Sequence, residues 1–198
     1  MKVGPDGRIY VGTLSEKKCG ISDKVNGKLL GCITHEIKAN SIKDLFSKKK
    51  KGLLIDGNAF ISTKFVESFN RIVAKIEHCK LRDGSKVFAV TSVAENEGKS
   101  TVAANLALAL AEKDRRVVLL DCDFRKPALH KIFDTPLEKG KTLTSFLLQE
   151  DADPAGYLTE SKKHGILLGI SQTSGSSVTR LLNNGRLPAL LQQLRTQT

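Results

Sequence analysis

Between Phe65 and Ile76 the apolar residues Phe65, Phe69, Ile72, Val73 and Ile76 recur with the period of a helix that buries one face. The spacing predicts a helix from Thr63 to about Lys80, with Ser62 or Thr63 as its N-cap and Gly84 beyond its end. That stripe is expected to pack on the domain that follows, and contact with a partner subunit is its alternative use. A second pattern begins at Lys86. Val87–Val90, Val117–Leu120 and Ile166–Ile170 are short, wholly apolar runs, as expected of parallel strands buried on both faces. Thr101–Ala111 is rich in Ala and Leu nearly all round, which suits a helix lying against a sheet. Leu143–Leu148 and Leu187–Leu194 predict two more helices, with Pro188 tolerated in the first turn of the latter. An acidic turn is expected at Glu150–Asp153. Strands alternating with helices in this way imply an α/β fold, a parallel sheet with flanking helices.

Residues 1–60 lack such a period and are rich in Lys, Gly and Ser. A short strand within Lys28–Thr34, a brief helix opening at Ser41–Phe46 and a turn at Asp56-Gly57-Asn58 are the local expectations. The chain is therefore expected to divide into a basic linker, 1–60, and a nucleotide-binding domain, 61–198. Charge sharpens that division. Residues 1–90 hold 18 Lys and Arg against 9 Asp and Glu, whereas residues 91–198 hold 14 against 12. The basic peak is Lys48, Lys49, Lys50 and Lys51, which could face water, an anionic membrane surface or nucleic acid. With two Tyr and no Trp there is no stacking platform for single strands, so no nucleic acid is expected. No run approaches the roughly 18–20 apolar residues of a membrane span, and Met1–Gly12 has no secretory apolar core. Cys19, Cys32, Cys79 and Cys122 form no C-x-x-C pair. A zinc or disulfide framework is not expected, and a reducing compartment is.

The chemistry concentrates in two segments. Thr91–Thr101 (TSVAENEGKST) follows a predicted strand and opens a predicted helix, the setting a phosphate-binding loop requires. Successive backbone N–H groups and the helix N-terminus make an anion cradle, and Gly98 lets the backbone come close. Lys99 would reach the β- and γ-phosphates, and the Ser100 hydroxyl would ligate Mg²⁺. The strict pattern G-x-x-x-x-G-K-[ST] is broken by Val93, where the first Gly belongs, and two glutamates lie inside the loop. Gly140-Lys141-Thr142 repeats the triplet but follows no apolar strand, so it reads as a surface turn before a helix. The second segment is Val117–Pro127 (VVLLDCDFRKP), in which Asp121 and Asp123 leave the C-terminal end of a predicted strand, where ligands bind in open α/β sheets. They could serve Mg²⁺ and a hydroxyl nucleophile, or be a capping Asp and a surface Asp paired to Arg125.

The segment from Val87 to Phe133 resembles the bacterial tyrosine kinases of capsule and exopolysaccharide synthesis. The family's Walker A loop, T-S-x-x-x-x-E-G-K-S-T, is matched by Thr91–Thr101, and its Walker A′ motif, an apolar run then D-x-D-x-R, by Val117–Arg125. Looser resemblance continues through Leu143–Leu148 and Ile166–Arg195. Lys28–Glu77 is similar to the cytoplasmic linker that joins the family's membrane-anchored chain-length regulator to the kinase. The resemblance implies ATP and Mg²⁺ as cofactors and transfer of the γ-phosphoryl group to tyrosine. It implies that Glu97, Gly98, Lys99, Ser100 and Thr101 bind the nucleotide. Ser100, Asp121 and Asp123 would organise the metal, with Asp121 as candidate base. It further implies a homo-oligomer, a membrane-anchored regulator or activator as partner, and a cytoplasmic place at the inner membrane face.

Three departures accompany it. Nothing after Arg195 supplies the family's Walker B strand, so an incomplete, C-terminally truncated kinase region is the expectation. The C-terminal tyrosine cluster has no counterpart, Tyr10 and Tyr157 being the two tyrosines. Asn70 and Val73 stand where the assembly motif E-x-x-R-x-x-R, beginning here at Glu67, has arginines. The related partition and cell-division ATPases carry a lysine at the position of Ala94, which favours the kinase branch. A partition-type ATPase switch and a catalytically inactive adaptor are the alternative readings.

Overall fold

The computed structural model describes residues 2–3, 9–10, 28–34, 54–55, 61–83, 87–92, 94–150, 153–161, 165–175 and 177–197. The chain divides into two compact units, Met1–Ala109 and Leu110–Thr198. The expected helix at Ser41–Phe46, the lysine run and the turn at Asp56–Asn58 lie outside the described residues.

In the first unit, β1 (Lys2–Val3) pairs antiparallel with both β2 (Ile9–Tyr10) and β3 (Lys28–Leu29). The amphipathic stripe forms helix α1, Thr63–Asp83, as its period requires. Ser62 caps it, its hydroxyl accepting from the Phe65 N–H at 3.3 Å. All five stripe residues are buried, and Phe65 meets Phe69 edge to face with ring centroids 5.1 Å apart. Gly31 lies against that face: a Cβ there would come 2.9 Å from Ile72 Cγ1, so the close approach needs glycine.

Helix α2, Lys99–Ala111, buries Val102, Ala104, Leu106, Ala107, Leu108 and Ala109. Asn105 is fully buried among them and uses both ends of its amide. Its Nδ2 donates to Thr101 O at 2.9 Å, and its Oδ1 accepts the Ile55 N–H at 2.7 Å, which pins residue 55 to the helix. Val87–Val90, expected as a buried strand, joins no sheet among the described residues. Val87 and Ala89 are exposed, and Phe88 and Val90 half-buried. An apolar run becomes a strand only where a neighbouring strand takes up its N–H and C=O groups.

In the second unit, β4 (Val118–Leu120) runs parallel to β6 (Leu167–Gly169), with Val118 opposite Leu167 and Leu120 opposite Gly169. Strand β5 (Thr159–Glu160) then pairs antiparallel with β6, giving the order β4-β6-β5. The α/β architecture is as expected, but the sheet is mixed rather than wholly parallel. Gly169 sits where a Cβ would lie 2.5 Å from Leu120 Cδ2, so the parallel pair closes over it. Around the sheet lie α3 (Leu129–Ile132), α4 (Leu143–Leu148), α5 (Val178–Asn183) and α6 (Arg186–Gln197). Phe124, Leu143, Phe146, Leu147, Leu181, Leu190 and Leu194 form the core. The second G-K-T triplet is a turn that caps α4: Gly140 has φ +82°, and Thr142 Oγ1 accepts the Ser145 N–H at 3.2 Å. Its Lys141 pairs with Glu138 at 2.8 Å, which holds the glutamate below and the lysine above their ordinary pKa values. Of the acidic turn, Glu150 and Asp153 are described, and Asp153 caps a 3-10 turn at Pro154–Tyr157.

Candidate nucleotide site

The loop before α2 has left-handed backbone at two positions. Asn96 has φ +62° and Gly98 φ +84°, two left-handed residues with Glu97 between them, and α2 begins at Lys99. Glycine takes this conformation without a Cβ clash, and Asn is among the side chains that tolerate it. Left-handed residues within such a turn let successive N–H groups converge on one point, an anion-binding nest. Val102 N–H donates to Gly98 O at 2.9 Å, so the first helical hydrogen bond starts from the loop glycine. Lys99, Ser100 and Thr101 follow in the first turn, all half-buried. Upstream, Ser92 Oγ donates to Ala94 O at 2.9 Å, and the Ala94 N–H donates to Glu97 Oε2 at 3.1 Å. One of the two loop glutamates is thus turned back on its own loop, and the other, Glu95, is exposed.

In the second unit, Asp121 continues the sheet beyond β4, its N–H donating to Gly169 O at 2.9 Å. The carboxylate is 5% exposed, and its loop is wrapped around it. Oδ1 accepts the Asp123 N–H at 3.2 Å, and Oδ2 accepts the N–H groups of Ala128 at 2.9 Å and Leu129 at 3.0 Å. Burial raises its pKa above the ordinary carboxylate value. The three N–H donors oppose that rise, and the neighbouring Asp123 charge adds to it. Ser171, fully buried at the end of β6, donates its hydroxyl to Asp121 O at 2.6 Å. Asp123 is half-buried, with Oδ1 accepting the Lys126 N–H at 2.9 Å.

Beneath the loop, Phe124 is 1% exposed and anchors it in the core, while Ser174 N–H reaches Phe124 O at 3.3 Å. His130 Nδ1 is buried with no hydrogen-bond partner among the described residues. Burial and the adjacent Lys131 push this imidazole's pKa down against the pull of Asp121.

The loop before α2 lies in the first unit, and Asp121 and Asp123 lie in the second. Each segment singled out in the sequence forms a compact, hydrogen-bonded loop at one end of a regular element. Phe124, Ser171 and the Ala128–Leu129 N–H pair escaped sequence reasoning. A lone aromatic inside the polar D-x-D-x-R run was the visible signal for the first, and the other two left none. Among the described residues no group of three or more His, Cys, Asp or Glu side chains could cage a metal. Mg²⁺ asks for less, since it takes one or two hard oxygen donors and keeps its waters and phosphate ligands. The hydroxyl and carboxylate oxygens of Ser100, Asp121 and Asp123 are donors of that kind.

Residues 88–184 match the model of the CobQ/CobB/MinD/ParA nucleotide binding domain. These residues are similar to that nucleotide-binding domain. The domain resembles bacterial tyrosine kinases in particular. The chain is 37% identical over 98 residues to the tyrosine-protein kinase YwqD of Bacillus subtilis, covering 50% of this chain and 40% of that protein. It is 32% identical over 120 residues to the succinoglycan biosynthesis transport protein ExoP of Rhizobium meliloti, covering 61% of this chain and 15% of ExoP. The chain thus spans well under two thirds of these relatives. The fold matches the kinase domain of the Escherichia coli tyrosine kinase ETK with a TM-score of 0.62 over 68% of this chain and 51% of that one, at 21% identity. No helix among the described residues is long and apolar enough to cross a membrane.

Proposed function

We propose that this nucleotide-binding domain binds Mg·ATP and works as the catalytic region of a protein-tyrosine kinase that regulates exopolysaccharide or capsule synthesis. The observation that carries the reading is the loop at Asn96–Lys99, with left-handed residues at Asn96 and Gly98 opening directly into α2. Lys99 binds the β- and γ-phosphates as a point charge, and the loop backbone from Glu97 to Thr101 cradles them. Ser100 with Asp121 and Asp123 holds Mg²⁺. ATP and its metal supply the transferable phosphoryl group and neutralise the charge that develops on it. Asp121 accepts the proton of the tyrosine hydroxyl. Likeness to ExoP, a biosynthesis transport protein, fits this reading, which also takes in a place at the inner face of the membrane, a membrane-anchored regulator as partner and self-assembly. The lysine run Lys48–Lys51 would add attraction to anionic lipid.

The test is incubation with Mg·ATP and a tyrosine-bearing polymer, followed by phosphotyrosine detection. Phosphotyrosine that disappears in Lys99→Ala is the expected outcome. Phosphate release without phosphotyrosine would point to a partition-type switch. ATP binding without either product would leave an adaptor.

A further inference from the structure

The loop lacks the glycine that the phosphate-loop pattern places at Val93, and the structure shows a device that can stand in for it. The backbone of Ala94 is held by a side chain at each of its two polar groups. Its C=O accepts from Ser92 Oγ at 2.9 Å and its N–H donates to Glu97 Oε2 at 3.1 Å. We infer that Glu97 is a positioning residue, which with Ser92 clamps Ala94 and fixes the loop's entry so that the donors after it are set before nucleotide arrives. The inference rests on the nucleotide reading above and gives Glu97 a role through the loop instead of contact with phosphate.

The bond has the logic of a capping box, in which a carboxylate reaches back three residues to an otherwise orphaned N–H. A glycine at the loop's start allows a tight turn but does not hold one, because it has the most conformational freedom to lose. A side-chain clamp holds the turn, so less ordering remains to be done when the ligand binds. It also explains an anion in an anion site. A carboxylate beside phosphates repels them, and the repulsion is tolerable if its oxygens are engaged by the loop itself. The acceptor oxygen then matters and the charge does not.

Three forms of the full chain separate these contributions: the unmodified protein, Glu97→Ala and Glu97→Gln. Calorimetry with Mg·ATP is expected to show about tenfold weaker binding for Glu97→Ala, the scale of reordering one loop segment. Glu97→Gln keeps an acceptor oxygen and is expected to restore binding to the unmodified level or tighter. Unweakened binding by Glu97→Ala, or an equal loss in Glu97→Gln, overturns the inference.

Lys99→Ala runs alongside. If the unmodified chain binds and Lys99→Ala does not, the nucleotide reading stands whatever Glu97 does. The clamp is also read without nucleotide, from exchange of the Ala94 amide proton by NMR. That exchange is expected to quicken about tenfold in Glu97→Ala, as for an exposed amide losing its acceptor. Equal exchange in the two proteins removes the clamp and the inference with it.

Discussion

Phe124→Ala is expected to destabilise the Leu110–Thr198 unit by about 3–5 kcal/mol, the range for deleting a buried aromatic side chain. The residue is 1% exposed and sits in the core with Leu143, Phe146, Leu147, Leu181, Leu190 and Leu194. It is also one residue from Asp123 and three from Asp121, so the hole would open directly under the loop that carries both carboxylates. A domain has about 5–15 kcal/mol of stability in all, and a loss of this size consumes much of it. Urea unfolding followed by circular dichroism measures the loss. Within the loop, Ser174 N–H and Phe124 O meet at 3.3 Å, so the segment after β6 should loosen too. A change below about 1 kcal/mol would mean that the loop is held by its hydrogen bonds and not by its anchor.

Those hydrogen bonds make the second large effect. Asp121→Ala removes the acceptor of three backbone N–H groups, those of Asp123, Ala128 and Leu129. Each buried donor left without a partner costs about 1–3 kcal/mol. Part of that is returned, because burial already disfavours this carboxylate's charge. A net loss of about 2–4 kcal/mol is expected in urea unfolding. Asp121→Asn separates structure from chemistry. It retains one acceptor oxygen, so it should lose less stability, yet it has no carboxylate to take a proton or hold a metal. Phosphotyrosine formation is expected to fall at least about 100-fold in Asp121→Asn while the variant stays folded. An active Asp121→Asn would confine the residue to organising its loop.

What the sequence made legible follows from how local each signal is. The α1 stripe and its Ser62 cap, the α4 boundaries and the G-K-T turn at Gly140 depend on residues a few positions apart, and all appear where the period and the capping rules put them. Strand pairing depends on residues far apart. Val117–Leu120 and Ile166–Ile170 have equivalent apolar runs to Val87–Val90, but the first two pair with each other and the third joins no sheet among the described residues. The antiparallel β5 has two residues, Thr159 and Glu160, both exposed, and so carries no hydrophobic signature. The short helices α3 and α5, of four and six residues, are too brief to show a period. At the candidate site, the motif residues themselves were readable and their hydrogen-bond partners were not. Backbone donors such as the Ala128 and Leu129 N–H groups have no letter in a sequence. The back-turned Glu97 could not be told from a solvent-facing one until Ala94 was seen against it.

If Thr91–Thr101 is a working phosphate loop, the chain takes up Mg·ATP through it. Titration calorimetry of Mg·ATP into the unmodified chain and into Lys99→Ala tests it most directly. Binding in the micromolar range is expected for the unmodified chain, about −8 kcal/mol. Loss of the lysine should weaken it at least about 100-fold, the scale of a charge-assisted contact to phosphate. A folded, unmodified chain that takes up no Mg·ATP, or a Lys99→Ala variant that binds as tightly, would contradict the claim.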